Sequence, residues 1–244
     1  MAATLDELRL SESWEHEESM MADAIVAQAN NGTALEILEA GCGRAWTIDL
    51  SSIEYRLTGV DIDAHALEAR IEQGDLDTAI HGDICSVDLD DAQFDVVYSS
   101  YVLEHVEEAD LMMDNLAQWL KPGGIMVVRI PDGDTVFGFI TKFTPHWFHV
   151  FYRRRILRQP NAGKPGYEPY PTHYHPIVSR SAFNQYCSEN GLEVIDEWGF
   201  PFMAHGGGVF EKIVVAGAKA MAFLSRGRLA SRHQNITFVV RRPA

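Results

Sequence analysis

The glycine pair Gly41 and Gly43, set directly after an apolar run, constrains this chain more than any other feature. Residues 34–40 (ALEILEA) predict a strand, closed by Gly41-Cys42-Gly43. Glycine allows positive φ and lets a ligand come close to the backbone. With a helix following from about Ala45, such a turn would offer free amide N–H groups to a bound group. Further strands are predicted at 55–61 (YRLTGVD), 76–81, 94–99 (FDVVYS) and 125–130 (IMVVRI). Helices are predicted at 64–72 and 109–120, with a turn at 121–124. Apolar strands alternating with helices predict a parallel sheet and an α/β, doubly wound fold. A length of 244 residues fits one such domain.

Asp61 ends the second strand, twenty residues after Gly41. A carboxylate there can accept both hydroxyls of a ribose. One class of fold with this layout is the dinucleotide-binding oxidoreductase, which uses G-x-G-x-x-G and a similarly placed acid. Its third glycine would fall at position 46, where this chain has Trp46. Indole is too bulky for the helix–strand packing which that glycine permits. Titration with a nicotinamide dinucleotide would separate that class from the reading below.

Five segments in order carry a closer likeness: 37–45 (ILEAGCGRA), 59–63 (GVDID), 82–84 (GDI), 94–106 (FDVVYSSYVLEHV) and 120–124 (LKPGG). Together they resemble the successive motifs of class I S-adenosylmethionine-dependent methyltransferases. The wording is similar to the small-molecule branch, the relatives of ubiquinone and menaquinone methyltransferases. The resemblance covers about residues 34–131, and Ala45 departs from it where many members have a third glycine. It implies a Rossmann-like seven-stranded sheet of order 3-2-1-4-5-7-6 with the last strand antiparallel. It also implies S-adenosyl-L-methionine as cofactor. Carried over by residue, Glu39, Gly41 and Gly43 would line its methionine part. Asp61 would hold the ribose, with Ile62 against the adenine. Asp83 would accept from the adenine amino group beside the Ile84 backbone. Ser99 and Ser100 would lie where the methyl meets the acceptor. The chain has Ser-Ser-Tyr where amide-methylating families have Asn/Asp-Pro-Pro-Tyr/Phe, which argues against a nucleobase amino group.

Segments outside the resemblance set the remaining expectations. Residues 1–33 predict an N-terminal helical segment, 34–131 the cofactor-binding core, 132–179 a cap, and 180–244 the completion of the sheet. Within the last segment, 180–190 and a basic stretch at about 210–224 predict helices, and 192–198 and 236–240 predict strands. The cap is broken by prolines and dense in Phe, Trp and Tyr, too irregular for a sheet unit. Residues 1–134 carry 29 acids and 6 bases, whereas residues 135–244 carry 6 acids and 14 bases. A net charge of −15 argues against a general nucleic-acid binder. The asymmetry points to different partners for the two parts.

No acid occurs between Asp134 and Glu168, while Lys142, Arg153, Arg154, Arg155, Arg158 and Lys164 all do. Arginine binds carboxylate and phosphate bidentately, so Arg153, Arg154, Arg155 and Arg158 are candidate substrate ligands. A small anionic acceptor, an acidic carrier protein, a membrane surface and internal charge balance all fit this patch. His146, His149, His173 and Tyr174 in the cap, with Tyr101 below, are candidates to orient or deprotonate the acceptor. An imidazole near a pKa of about 6.5 suits proton removal at neutral pH. O-methylation of a small or carrier-bound metabolite is the expected reaction. The alternatives are a lipid-like acceptor at a membrane surface, or cofactor binding without transfer. No metal site is expected, since no carboxylate lies near His146-x-x-His149 or His173-x-His175. Three dispersed cysteines, no apolar leader and no spanning stretch predict a cytoplasmic protein.

Overall fold

A computed structural model describes residues 8–29, 33–155, 158, 160–163, 170, 172–173, 175–201 and 209–244. Seven strands form one sheet: β1 (Leu35–Ala40), β2 (Tyr55–Asp61), β3 (Thr78–His81), β4 (Phe94–Ser100), β5 (Leu120–Pro131), β6 (Glu193–Pro201) and β7 (His233–Arg241). Their order is β3-β2-β1-β4-β5-β7-β6, as the resemblance implies. The first five run parallel, and β7 lies antiparallel between β5 and β6.

The helices are α1 (Trp14–Val26), α2 (Ala64–Gln73), α3 (Ala109–Trp119), α4 (Val136–Phe143), α5 (His146–Arg155), α6 (Arg180–Glu189) and α7 (Val209–Leu224). Side chains alternate across a strand, so each strand feeds two cores. On one face Leu38, Val97, Met126 and Val128 pack with Met112, Met113 and Leu116 of α3 and Phe183 of α6. On the other, Ile37, Val96, Tyr98 and Val127 pack with Met21 and Ile25 of α1.

Two local expectations are corrected. The helix expected from about Ala45 is absent, and β1 connects to β2 through irregular chain. The cause is the hydrophobic period. Ile48 and Leu50 are buried and Trp46 is half-buried, while Thr47 and Asp49 are exposed. That alternation has period two, which suits extended chain and not a helix. The segment lies on the same core as α1 and takes the place a helix would fill. The 121–124 turn is also absorbed into β5. Its pairing steps from Phe94–Leu120 to Val96–Ile125, so the intervening residues bulge inside one long strand. The cap, expected to be too irregular for a sheet unit, contains two short helices, α4 and α5. No described helix is long and apolar enough to cross a membrane.

Candidate active site

The carboxyl ends of the parallel strands open into a crevice of about 2260 Å³. A single small-molecule site typically occupies roughly 300–1,000 Å³, so there is room for two ligands side by side. Its position follows from topology. Strand order reverses between β1 and β4, and open α/β sheets bind ligands at that switch point.

One end of the crevice is built from the turns after β1, β2 and β3. Gly41 has φ +74°, and a Cβ there would stand 2.3 Å from Val102. Gly43 has φ +56°, and a Cβ there would meet nothing within 4 Å, so its face is open. The amides of Gly41 and Cys42 donate to the Val60 carbonyl at 2.8 and 3.1 Å. The Gly43 amide donates to Asp61 Oδ2 at 2.8 Å. The expected helix N-terminus is therefore replaced by a turn whose amides are taken by β2. Asp61 Oδ1 accepts from the Asp63 amide at 2.8 Å. Each carboxylate oxygen keeps a second lone pair for a ligand hydroxyl. Ile62 is 71% exposed. Asp83 accepts from the Cys85 amide at 2.9 Å, and Asn115 fixes the Ile84 carbonyl at 2.8 Å. Gly41, Gly43, Asp61, Ile62, Asp83 and Ile84 thus share one crevice wall.

Glu39 and Ser99 are not on that wall. Glu39 lies beneath the turn, 2.8 Å from the fully buried Arg70 guanidinium. Arg70 also donates to the Cys42 carbonyl and to Asp75, each at 2.6 Å. Burial pushes the Glu39 carboxyl up to about 8, against the opposing pull of Arg70. Burial and the Glu39 charge push the Cys42 thiol up to about 12, as befits a packing residue. Ser99 is buried and donates to the Ala40 carbonyl at 3.1 Å, tying β4 to β1.

The other end of the crevice is lined by Ser100, the last residue of β4, and Tyr101 after it, with Trp14, Pro131, Gln234 and Asn235. Behind them lies a buried polar cluster. Arg129 donates to Ser100 Oγ at 2.8 Å and to Glu17 at 3.1 Å. Glu17, fully buried, also accepts from Thr237 at 2.9 Å. The Arg129 guanidinium stands 5.2 Å from the Trp14 ring centre and 4.7 Å from that of Tyr101. Asn235 donates to the Tyr101 phenol oxygen at 2.6 Å. Burial raises the Tyr101 phenol well above the ordinary tyrosine range, even with Arg129 beside it. Burial thus favours the protonated phenol at Tyr101. The sequence reading missed Trp14, Glu17, Arg129 and Asn235. Arg129 alone left a signal there: it is a lone charge inside the apolar run IMVVRI.

The cap closes the third side. Thr141–Pro145 and Asn161, Tyr170 and His173 line the crevice, with Lys142 as their cation. The His173 amide donates to the Glu104 carbonyl at 2.8 Å, fixing this strand of the cap over the β4 end. Arg154 donates to the Ala162 carbonyl at 2.7 Å and is otherwise exposed. Arg155 and Arg158 are exposed, and none of these three lines the crevice. Tyr174 and the side chains of His146, His149 and Arg153 lie outside the described residues.

Residues 38–128 match the family model described as a methyltransferase domain. The chain is 33% identical over 102 residues to a Mycolicibacterium smegmatis protein named as a probable S-adenosylmethionine-dependent methyltransferase. That alignment covers 40% of this chain and 38% of the relative, so the likeness spans well under half of either protein. It is 25% identical over 193 residues to a ubiquinone biosynthesis O-methyltransferase of Maricaulis maris, covering 67% of this chain and 72% of the relative. A solved structure of an Archaeoglobus fulgidus SAM-dependent methyltransferase superposes with a TM-score of 0.57 at 16% identity. It covers 93% of this chain and 94% of that one, and shows the shared fold.

Proposed function

We propose that this chain, which matches a methyltransferase-domain model over residues 38–128, is a class I S-adenosylmethionine-dependent methyltransferase that methylates an oxygen of a small acceptor that is anionic or carrier-borne. The observation that carries this reading is one crevice with two unlike ends. One end offers an open glycine face, two carboxylates and an exposed Ile62. The other offers Tyr101 and Asn235, with the cap residues Lys142 and His173 on the third side and Glu104, Glu107 and Glu108 in the same lining.

The first end fits the cofactor by its donor set. Asp61 would accept from the two ribose hydroxyls, and Asp83 from the adenine amino group beside the Ile84 backbone. Ile62 would cover the base. When bound, S-adenosylmethionine supplies a methyl carbon activated by positive sulfur. The protein's share of the work is alignment, holding the acceptor oxygen about 3 Å from that carbon. Tyr101 donates its O–H toward the acceptor, because Asn235 already occupies the phenol oxygen from behind. Lys142 supplies positive charge at the mouth for an anionic group. His173, exposed in the same lining, would take a proton from an acceptor that is not already ionised.

Calorimetry with S-adenosylmethionine tests the cofactor end. Asp61→Ala removes two charge-assisted hydrogen bonds worth about 1.5–3 kcal/mol each, so affinity should fall at least tenfold. Wild-type affinity in Asp61→Ala would sink the cofactor placement. Tight binding in the wild type, with no S-adenosylhomocysteine released from S-adenosylmethionine in the presence of any carboxylate or phenol acceptor, would leave a cofactor-binding protein instead of an enzyme.

A further inference from the structure

Helix α7 is apolar on both of its faces. Its inward side, through Val214, Val215, Ala218, Met221 and Ala222, is buried or half-buried. Its outward side presents Ile213, Phe223 and Leu224, exposed at 64%, 83% and 78%. Lys212 and Lys219 flank that outward side. A surface helix ordinarily turns polar residues outward. Helix α4, which packs on α7, repeats the anomaly with Phe139, Ile140 and Phe143 exposed. So does α5, with Trp147, Phe148 and Phe151. Most of the large exposed apolar side chains of the described molecule therefore sit on these three helices. Scattered exposed apolar residues need no explanation, but a cluster of this size marks a contact surface.

Apart from Glu211 in the first turn of α7, the charge along these segments has one sign. Residues 135–167 contain no acid, and neither do residues 212–244, which hold seven bases. The rest of the chain is strongly acidic. Bulky apolar and aromatic side chains interleaved with lysine and arginine are the make-up of an interfacial helix on anionic lipid. A second copy meeting through this same face would place like charges opposite one another. An acidic carrier protein would match the charge. Yet the outward side of α7 carries no Ser, Thr, Asn or Gln between 212 and 224 to fix a partner's register.

We propose that α4, α5 and α7 form a docking face for an anionic lipid surface. The corner between α4 and α5, Thr141–Pro145, belongs to this face and also lines the crevice. Docking therefore brings the crevice mouth to the lipid. This goes beyond the proposed reaction, and its test needs no turnover.

Flotation of the full chain with vesicles of phosphatidylglycerol and phosphatidylcholine tests it, with pure phosphatidylcholine as comparison. The chain should float with the anionic vesicles and not with the neutral ones, and less as salt rises. Lys219→Glu should weaken the partition at least fivefold, given the worth of one basic charge near an anionic surface. A double variant, Trp147→Ser with Phe223→Ser, should weaken it tenfold or more. Both side chains lie outside the crevice lining, and an unchanged melting temperature shows that the variants fold. No flotation with anionic vesicles overturns the proposal, and so does flotation untouched by the substitutions. Sedimentation showing a dimer that these substitutions dissociate, without vesicle binding, gives the face to a second copy. Saturable binding of an acyl carrier protein that the same variants abolish, again without vesicle binding, gives it to an acidic partner. Each of these results also overturns the proposal.

Discussion

Tyr101 holds φ at +57°, in the left-handed region that a bulky residue rarely adopts. Such strain is kept only where surrounding contacts over-determine it, and it clusters at functional sites. Here the over-determination is visible: Arg129 beneath the ring, the Asn235 amide on the phenol oxygen, and the Tyr101 amide donating to the Arg129 carbonyl at 2.9 Å. With Asn235 donating to its oxygen, the phenol O–H is not needed for that bond. Because burial raises this phenol, it should stay protonated throughout the neutral and mildly alkaline range. Wild type and Tyr101→Phe should show the same rise in absorbance at 295 nm up to about pH 9, since ordinary tyrosines ionise near 10. A phenolate present only in wild type near neutrality would make Tyr101 a base after all. Tyr101→Phe should also cost about 0.5–1.5 kcal/mol of stability for the lost hydrogen bond.

At the scale of elements, α1 does more than cover one face of the sheet. Through Glu17 it supplies the carboxylate that neutralises Arg129 inside the core, and through Trp14 it walls the crevice. A buried pair adds little over an apolar replacement, but removing one partner leaves an uncompensated charge. Glu17→Ala should therefore destabilise by about 3–5 kcal/mol. For a chain of this size that is a fall on the order of 10 °C in Tm. Glu17→Gln, which can still accept from Arg129 and Thr237, should lose less. Equal melting of the wild type and Glu17→Ala would mean that Arg129 finds its balance elsewhere.

For the whole molecule, stability should depend on pH through the pair beneath the glycine turn. Glu39 has a folded value of about 8 against an ordinary 4.5. The folded state then binds a proton more tightly than the unfolded chain. Its contribution is complete below the unfolded value and is lost as pH rises through the folded one. Wild type should lose melting temperature between about pH 4.5 and pH 8, and Glu39→Gln should lose less over that interval. Parallel curves for the two proteins would place the Glu39 carboxyl back in the ordinary range. The charge division between the acidic first half and the basic remainder is also a whole-molecule property. It puts most of the basic residues in the cap and the segments after it, whereas the crevice lining itself keeps Glu104, Glu107 and Glu108 beside Lys142.

Most of the sheet was legible in the sequence because strands buried on both faces are continuous apolar runs, bounded by glycine, aspartate or proline. β2 begins and ends where the pattern puts it, and the crevice wall of Gly41, Gly43, Asp61, Ile62, Asp83 and Ile84 follows from strand ends. Those residues are fixed locally, since each stands at the carboxyl end of a strand whose place in the order is set. Tertiary structure decided what depends on partners distant in the chain. Segment 46–50 is extended because a core face shared with α1 and β1 accepts its alternating side chains. Glu39 turned from the crevice because Arg70, on α2, meets it from below. Arg129 became the support of Tyr101 because Glu17, 112 positions earlier, reaches it across the sheet. A periodicity reports which face of an element is apolar. Only packing decides which charge finds which counter-charge, because that choice is settled by desolvation in the assembled core.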